Sequence, residues 1–241
     1  KVMLVFGTRP EAIKMCPLVK ELKQHTTIET VVCVTGQHKE MLEQVLDVFK
    51  IIPDYDLGVM KTNQTLFTIT TSILDKIQSV LDEEKPDIVL VHGDTTTTFV
   101  TALAAFYKGI KVGHVEAGLR TYNLHSPFPE EFNRQATSIV SDYNFAPTEV
   151  SKENLVREGR ENIFVTGNTV IDALKTTVQN DYSHPILDWA KGSKLIMLTA
   201  HRRENLGEPM EHMFRAVNRI LDEFEDVKVV YPIHKNPKVR E

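Results

Sequence analysis

Short apolar runs separated by longer amphipathic stretches set the rhythm of this chain. Strand-like runs fall at 2–6, 29–35, 88–92, 111–115, 143–146, 163–166, 194–199 and 227–231. Most are apolar at consecutive positions, which suits strands buried on both faces. Helical spacing fills the intervals at 10–24, 39–49, 64–81, 95–107, 130–140, 151–158 and 209–224. In the second of these, Met41, Leu42, Val45, Leu46 and Phe49 recur at the steps of one helix face. Regular alternation of strand and helix predicts an α/β fold: a parallel, doubly wound sheet with right-handed crossovers.

The rhythm breaks between 167 and 192. There GNTVIDAL reads as a turn and a helix, and DYSHPILDWAKGSK has the Pro, Gly and polar content of a connection. KLIMLTA then opens a second strand–helix–strand unit. The expected organisation is an N-terminal Rossmann-like domain over 1–168, then a linker helix and the first part of a C-terminal Rossmann-like domain over 169–241. One such unit is too little for an independent domain. The second domain is therefore expected to be truncated at Glu241.

Candidate chemistry gathers at the strand ends. In a parallel sheet, ligands lie outside the carboxyl ends of the strands. The first strand runs into GTRPE, the third into HGDTTTT and the fourth into EAGLR. That brings Arg9, Lys14, His92, Asp94, His114 and Glu116 towards one cleft. In GTRPEAIKM, Thr8 suits a helix N-cap and Pro10 the first turn. The amides of that turn favour an anion, and Arg9 and Lys14 add positive charge. Asp94 and Glu116 end sequential strands and can meet. Cations beside paired carboxylates suit an anionic substrate handled by acid–base chemistry.

Plainer roles compete at each position. An Asp before a helix is often only its cap. His92 and His114 lie in apolar strands and read as hydrogen-bonded core residues. In SPFPEEFNRQ two prolines stiffen a loop before a helix that opens on Glu130 and Glu131, where acids complement the helix dipole. Glu130, Arg134 and Ser138 share one face of that helix. His201 in TAHRREN and His234 in YPIH close the two later strands, positions equally suited to surface loops.

Composition narrows the partners. A net charge of −5 gives no overall basic field for nucleic acid or an anionic membrane, so an anionic ligand needs local cations. No apolar run is long enough to suggest a membrane span. Cys16 and Cys33 do not make a disulfide framework, and no Cys/His cluster suggests a metal. No signal peptide is recognised, so a cytoplasmic location is expected. Dinucleotide, Walker, GxSxG and HExxH motifs are lacking.

GTRPEAIKM, HGDTTTT, GHVEAGLRT, SPFPEE-NR, TGNTVIDAL, TAHRREN and VVYP-H-NP occur in this order across nearly the whole chain. Together they resemble the bacterial non-hydrolysing UDP-N-acetylglucosamine 2-epimerases. The resemblance implies a glycosyltransferase-B-like architecture of two Rossmann-like domains. It implies C2 epimerisation of UDP-N-acetylglucosamine to UDP-N-acetylmannosamine for cell-surface polysaccharide synthesis. The reaction would run by elimination and re-addition of UDP through 2-acetamidoglucal, with no metal or redox cofactor.

By motif, Asp94, Glu116, Glu130 and His201 are the implied catalytic residues, and Arg9, Lys14 and Arg134 the substrate-binding ones. Gln37, Glu40, Gln64, Arg202 and His234 match segments lining an allosteric site for the substrate in this family. Relatives often carry Gln at the position of Glu40, so the match is weaker there. A homodimer is implied as well. A hydrolysing 2-epimerase, or a glycosyltransferase of the same fold, remains an alternative reading.

Overall fold

Side-chain alternation along each central strand decides which helix covers which face. The computed structural model describes residues 1–36, 39–60, 64–201, 205–233 and 237–240, the side chains of Lys39, Glu40, Pro237 and Lys238 excepted. In β1 (Val2–Phe6), Met3 and Val5 point to one face, joined by Val31, Cys33, Val89, Val91 and Val112. Helices α3 (Leu66–Glu84) and α4 (Thr96–Tyr107) close that face with Ile69, Ile73, Ile77, Leu81, Val100 and three alanines. Leu4 and Phe6 point the other way, with Val32, Val34, Leu90 and Val115. Helices α1 (Arg9–Gln24) and α2 (Lys39–Phe49) cover them with Met15, Cys16, Val19, Leu42 and Phe49. Full burial of such a side chain contributes roughly 1.5–3 kcal/mol. A one-residue register slip would invert every one of them, so the register is strongly specified.

The first compact unit spans Lys1–Val178. Its seven parallel strands add β2 (Thr30–Val34), β3 (Tyr55–Asp56), β4 (Ile88–His92), β5 (Lys111–Val115), β6 (Tyr143–Ala146) and β7 (Ile163–Val165). Their spatial order is β3-β2-β1-β4-β5-β6-β7. The order therefore reverses between β1 and β4, which pair directly. In open α/β sheets that switch point is where ligands bind. Helix α5 (Glu130–Val140) precedes β6, and α6 (Glu149–Arg157) precedes β7.

The second unit, Gln179–Glu241, contains the parallel pair β8 (Lys194–Met197) and β9 (Val227–Val230), joined through α9 (Glu208–Glu223). Strand β8 is exposed at all four positions.

The expected strands and most helices appear within a few residues of their sequence limits. Several details differ from the expected pattern. Strand β3 is only two residues long, too short to show a period. Helix α8 (Pro185–Ala190) forms inside the segment expected to be a connection, with Pro185 in its first turn. Helix α7 (Val170–Thr177) buries Ala173 in the core beside α1 and α2, so the first unit runs past residue 168. Among the described residues no helix is long and apolar enough to cross a membrane, and no group of three or more His, Cys, Asp or Glu could hold a metal ion.

Two buried histidines lie in the central strands. His92 ends β4 and His114 lies in β5, both buried. Loss of hydration pushes each imidazole down to about 3, so both are neutral at physiological pH. Below its ordinary pKa an unfolded histidine binds a proton that the folded one refuses. Stability is therefore present above about 6.5 and lost as pH falls towards 3. Moving from about pH 7.5 to about pH 4.5 is expected to remove about 2–3 kcal/mol per histidine. Glu11, raised by burial, offsets part of this on protonation. Urea unfolding at the two pH values measures the drop, and a flat or opposite slope would show that these imidazoles accept protons in the folded state.

The end of β5 also requires glycine. Gly118 has φ +87°, and a Cβ there would lie 2.2 Å from the Ser151 carbonyl oxygen. Gly118→Ala is expected to destabilise the first unit by about 2–4 kcal/mol, read as a lower urea midpoint at unchanged slope.

Candidate active site

The turn after β1 is organised by an internal anion. The Glu11 carboxylate is fully buried and accepts from the amides of Gly7 at 3.0 Å and Thr8 at 2.7 Å. The two amides just before α1 are thus already occupied. The Thr95 hydroxyl donates to the same carboxylate at 2.6 Å. The Thr98 hydroxyl lies 3.1 Å from it and 2.5 Å from the His92 carbonyl oxygen, and can donate to one at a time. Thr95 also caps α4, accepting from the Thr98 amide. Glu11 therefore joins the ends of β1 and β4. The sequence reading did not single out Glu11, although an acid three residues after the Thr8 cap is the spacing of a capping box. Its partners across the sheet were not visible there.

Downstream of this turn, Lys14 projects from α1 to the Glu116 carboxylate. Glu116 follows β5 with φ +62°, a left-handed conformation uncommon outside glycine. Its side chain is buried. Oε2 pairs with Lys14 and accepts from Asn168 Nδ2 at 3.1 Å, while Oε1 lies 3.5 Å from Arg134 Nη2. Helix α5 supplies Arg134 from the opposite side. Its Nη1 donates to the Glu116 carbonyl oxygen at 2.5 Å and its Nη2 to the Asp94 carboxylate. Asn133, one residue earlier, holds the Asp94 carbonyl oxygen at 2.9 Å. Arg134 thus reaches across to Asp94 and Glu116 rather than pairing with Glu130 along its own helix. Beneath these groups, His92 Nε2 is buried without a hydrogen-bond partner among the described residues, 3.8 Å from Glu116 Oε2. His114 Nε2 faces the Gly93 carbonyl oxygen at 2.7 Å.

A cavity of about 210 Å³ opens above, lined by Asp94, Leu119, Arg120, Thr121, Pro127, Glu130, Glu131 and Arg134. The two acids that open α5 divide their work. Burial acts to raise the Glu131 carboxyl, but Gln135 Nε2 and the amides of Thr121 and Tyr122 outweigh it and hold it below the usual range. Glu131 therefore fastens the loop. Glu130 is half-buried and, among the described residues, makes no hydrogen bond or ion pair through its carboxylate. Arg120 grips Glu158 with a two-pronged bond at 2.7 and 2.8 Å, a packing role.

The sequence-derived set divides accordingly. Asp94, Glu116, Lys14 and Arg134 form one hydrogen-bonded group, and Glu130 shares the cavity wall with Asp94 and Arg134. Arg9 is exposed at the start of α1. His201 is exposed and lies in the second unit, after β8. Gln64 bonds to the Val59 carbonyl oxygen at 2.5 Å. Gln37, Arg202 and His234, and the side chain of Glu40, lie outside the described residues. Asn133 and Asn168 carry no sequence signal beyond membership in the blocks NR and TGNTV.

These residues sit where a carboxylate can take a proton from carbon while nearby cations meet negative charge. Comparisons give that geometry a family. The family model described as UDP-N-acetylglucosamine 2-epimerase matches residues 20–241. The UDP-N-acetylglucosamine 2-epimerase of Bacillus subtilis (strain 168) is 63% identical over all of this chain, which spans 64% of its length. A crystal structure from Listeria monocytogenes gives a TM-score of 0.94 at 58% identity, covering 99% of this chain and 64% of that one. The Neisseria meningitidis enzyme, solved bound to UDP-GlcNAc, gives 0.89 at 51% identity over 99% and 67%. The fold extends to the glycotransferase of kitacinnamycin, at a TM-score of 0.59 and 11% identity over 97% and 66%. This chain belongs to the UDP-N-acetylglucosamine 2-epimerase family.

Proposed function

We propose that the full-length protein interconverts UDP-N-acetylglucosamine and UDP-N-acetylmannosamine without net hydrolysis. One observation carries this reading. In a member of this family, Asp94 and Glu116 converge at the ends of adjacent strands, with Arg134 reaching both and Lys14 paired with Glu116. The substrate class follows the Neisseria meningitidis relative, which holds UDP-GlcNAc.

The reaction starts with loss of the C2 proton to a carboxylate. The C–H electron pair becomes the C1–C2 double bond, and the C1–O pair leaves with UDP. The bound intermediate is 2-acetamidoglucal. Re-addition reverses these steps, with the proton delivered to the other face of C2. Asp94, Glu116 and Glu130 are the acid–base candidates, since two opposite faces require two groups. Arg9, Lys14 and Arg134 balance charge on the departing diphosphate. His201 is assigned to the same reaction by motif. The sequence is redox-neutral and calls for no electron-accepting cofactor.

Three further parts belong to the proposal. The product serves cell-surface polysaccharide synthesis in the cytoplasm. The enzyme works as a homodimer. Its substrate also acts as an activator through Gln37, Glu40, Gln64, Arg202 and His234.

Turnover of the full-length protein in D₂O is expected to place deuterium at C2 of the UDP-sugar. Free N-acetylmannosamine plus UDP as the final product would favour a hydrolysing enzyme instead. Glu116→Gln and Asp94→Asn keep oxygen acceptors for Lys14 and Arg134. Each is expected to remain folded and to lower kcat by about 10²–10⁴-fold. Wild-type kcat in both variants would remove these carboxylates from the chemistry.

A further inference from the structure

We infer that His92 is a positioning residue for Glu116: its Nε2 receives the Glu116 O–H whenever that carboxyl carries a substrate proton. The inference rests on the acid–base role given to Glu116 above. In a reversible epimerisation every acid–base group spends part of the cycle protonated, whichever face of C2 it serves. The surroundings of Glu116 therefore have to accommodate both forms.

The hydrogen-bonding inventory shows the difficulty. Lys14 Nζ and Asn168 Nδ2 face Oε2, and Arg134 Nη2 faces Oε1. All three are donors, suited to a carboxylate and unable to accept an O–H. Nearby acceptors are already engaged. Asn168 Oδ1 accepts from the Val170 amide, and the Gly93 carbonyl oxygen faces His114 Nε2. His92 Nε2 remains, buried and partnerless, 3.8 Å from Oε2. An N–H on Nε2 would draw the carboxylate into hydrogen-bond range, so the open 3.8 Å gap fits a lone pair on Nε2, with the hydrogen on Nδ1.

A lone pair facing a carboxylate gains nothing in the charged state, which accounts for the open gap. Protonation reverses the preference. A carboxyl rotation that moves Oε2 by about 1 Å then brings O–H and Nε2 into hydrogen-bond range. The proton stays on Glu116 and is returned to carbon from there. No other group changes its protonation state.

The test uses the full-length protein with UDP-N-acetylglucosamine, comparing His92→Leu with His92→Gln. Leucine offers no acceptor, whereas the glutamine amide oxygen restores one near the Nε2 position. His92→Leu is expected to lower kcat about 10- to 100-fold, the loss of one buried hydrogen bond, with KM changed less. Its pH profile is expected to shift the limb belonging to Glu116 towards lower pH, because the acid form has lost its acceptor. The other groups facing the pair are unchanged: Lys14 from α1, Asp94 after β4, His114 from β5 and Arg134 from α5. His92→Gln is expected to stay within about 5-fold of wild-type kcat. Wild-type kcat in His92→Leu, or glutamine no better than leucine, would overturn the inference.

If the leucine variant does not fold, imidazole ¹⁵N shifts of the wild-type protein decide. A hydrogen on Nδ1 supports the inference and a hydrogen on Nε2 overturns it. Glu116→Gln separates the two levels. Full activity there removes the role of Glu116 itself, while an inactive Glu116→Gln beside a fully active His92→Leu removes only His92.

Discussion

The guanidinium of Arg134 sets the geometry at the ends of β4 and β5. It bonds the Asp94 carboxylate, approaches the Glu116 carboxylate and holds the Glu116 carbonyl oxygen. The backbone contact matters as much as the charge. A left-handed non-glycine residue costs about 1–3 kcal/mol. One hydrogen bond to a charged donor contributes about 1.5–3 kcal/mol. The two magnitudes match, so Arg134 is able to offset the conformation that turns the Glu116 side chain towards Lys14. Deleting one member of such a buried pair typically costs about 3–5 kcal/mol, because the other charge is left unpaired. The group therefore behaves as a unit: removing a member outright disturbs all of it, whereas an amide that keeps an oxygen acceptor alters the chemistry first.

Glu11 exerts a second constraint. A helix N-terminus after a strand usually offers its amides to a bound anion. Here the amides of Gly7 and Thr8, just before the helix, with the Thr95 hydroxyl, serve a carboxylate from the helix itself. The protein gains a rigid joint between the ends of β1 and β4, which pair at the reversal of strand order. Cationic side chains add to whatever an external anion meets near α1. Lys14 is engaged with Glu116, whereas Arg9 stands exposed at the first turn.

Much of this arrangement was legible in the chain. Apolar periodicity placed the central strands, and the rule that ligands meet strand ends selected Arg9, Lys14, Asp94 and Glu116. What periodicity does not carry is pairing. It marks which residues leave a strand, yet says nothing of which donor meets which acceptor across the sheet. Arg134 illustrates the point. Four residues after Glu130 it reads as half of a surface pair, and only the approach of α5 to β4 and β5 reveals its partners. Asn133 and Asn168 stayed silent because asparagine near a helix start has many ordinary uses. Strand β3 was missed because two residues cannot display a period.

The histidines show why a correct local reading can still be incomplete. Apolar neighbours argue for a core imidazole, and burial does keep His92 and His114 neutral. Neutrality does not make the two equivalent. His114 meets the Gly93 carbonyl oxygen, whereas His92 turns its free nitrogen towards Glu116. A charged imidazole there would add a third cation to those already facing the carboxylate, favouring its ionised form further. A neutral imidazole can instead serve the protonated form that Lys14, Asn168 and Arg134 disfavour. Desolvation beneath the site thus supplies what the cations around it lack, an acceptor that stays uncharged through the reaction.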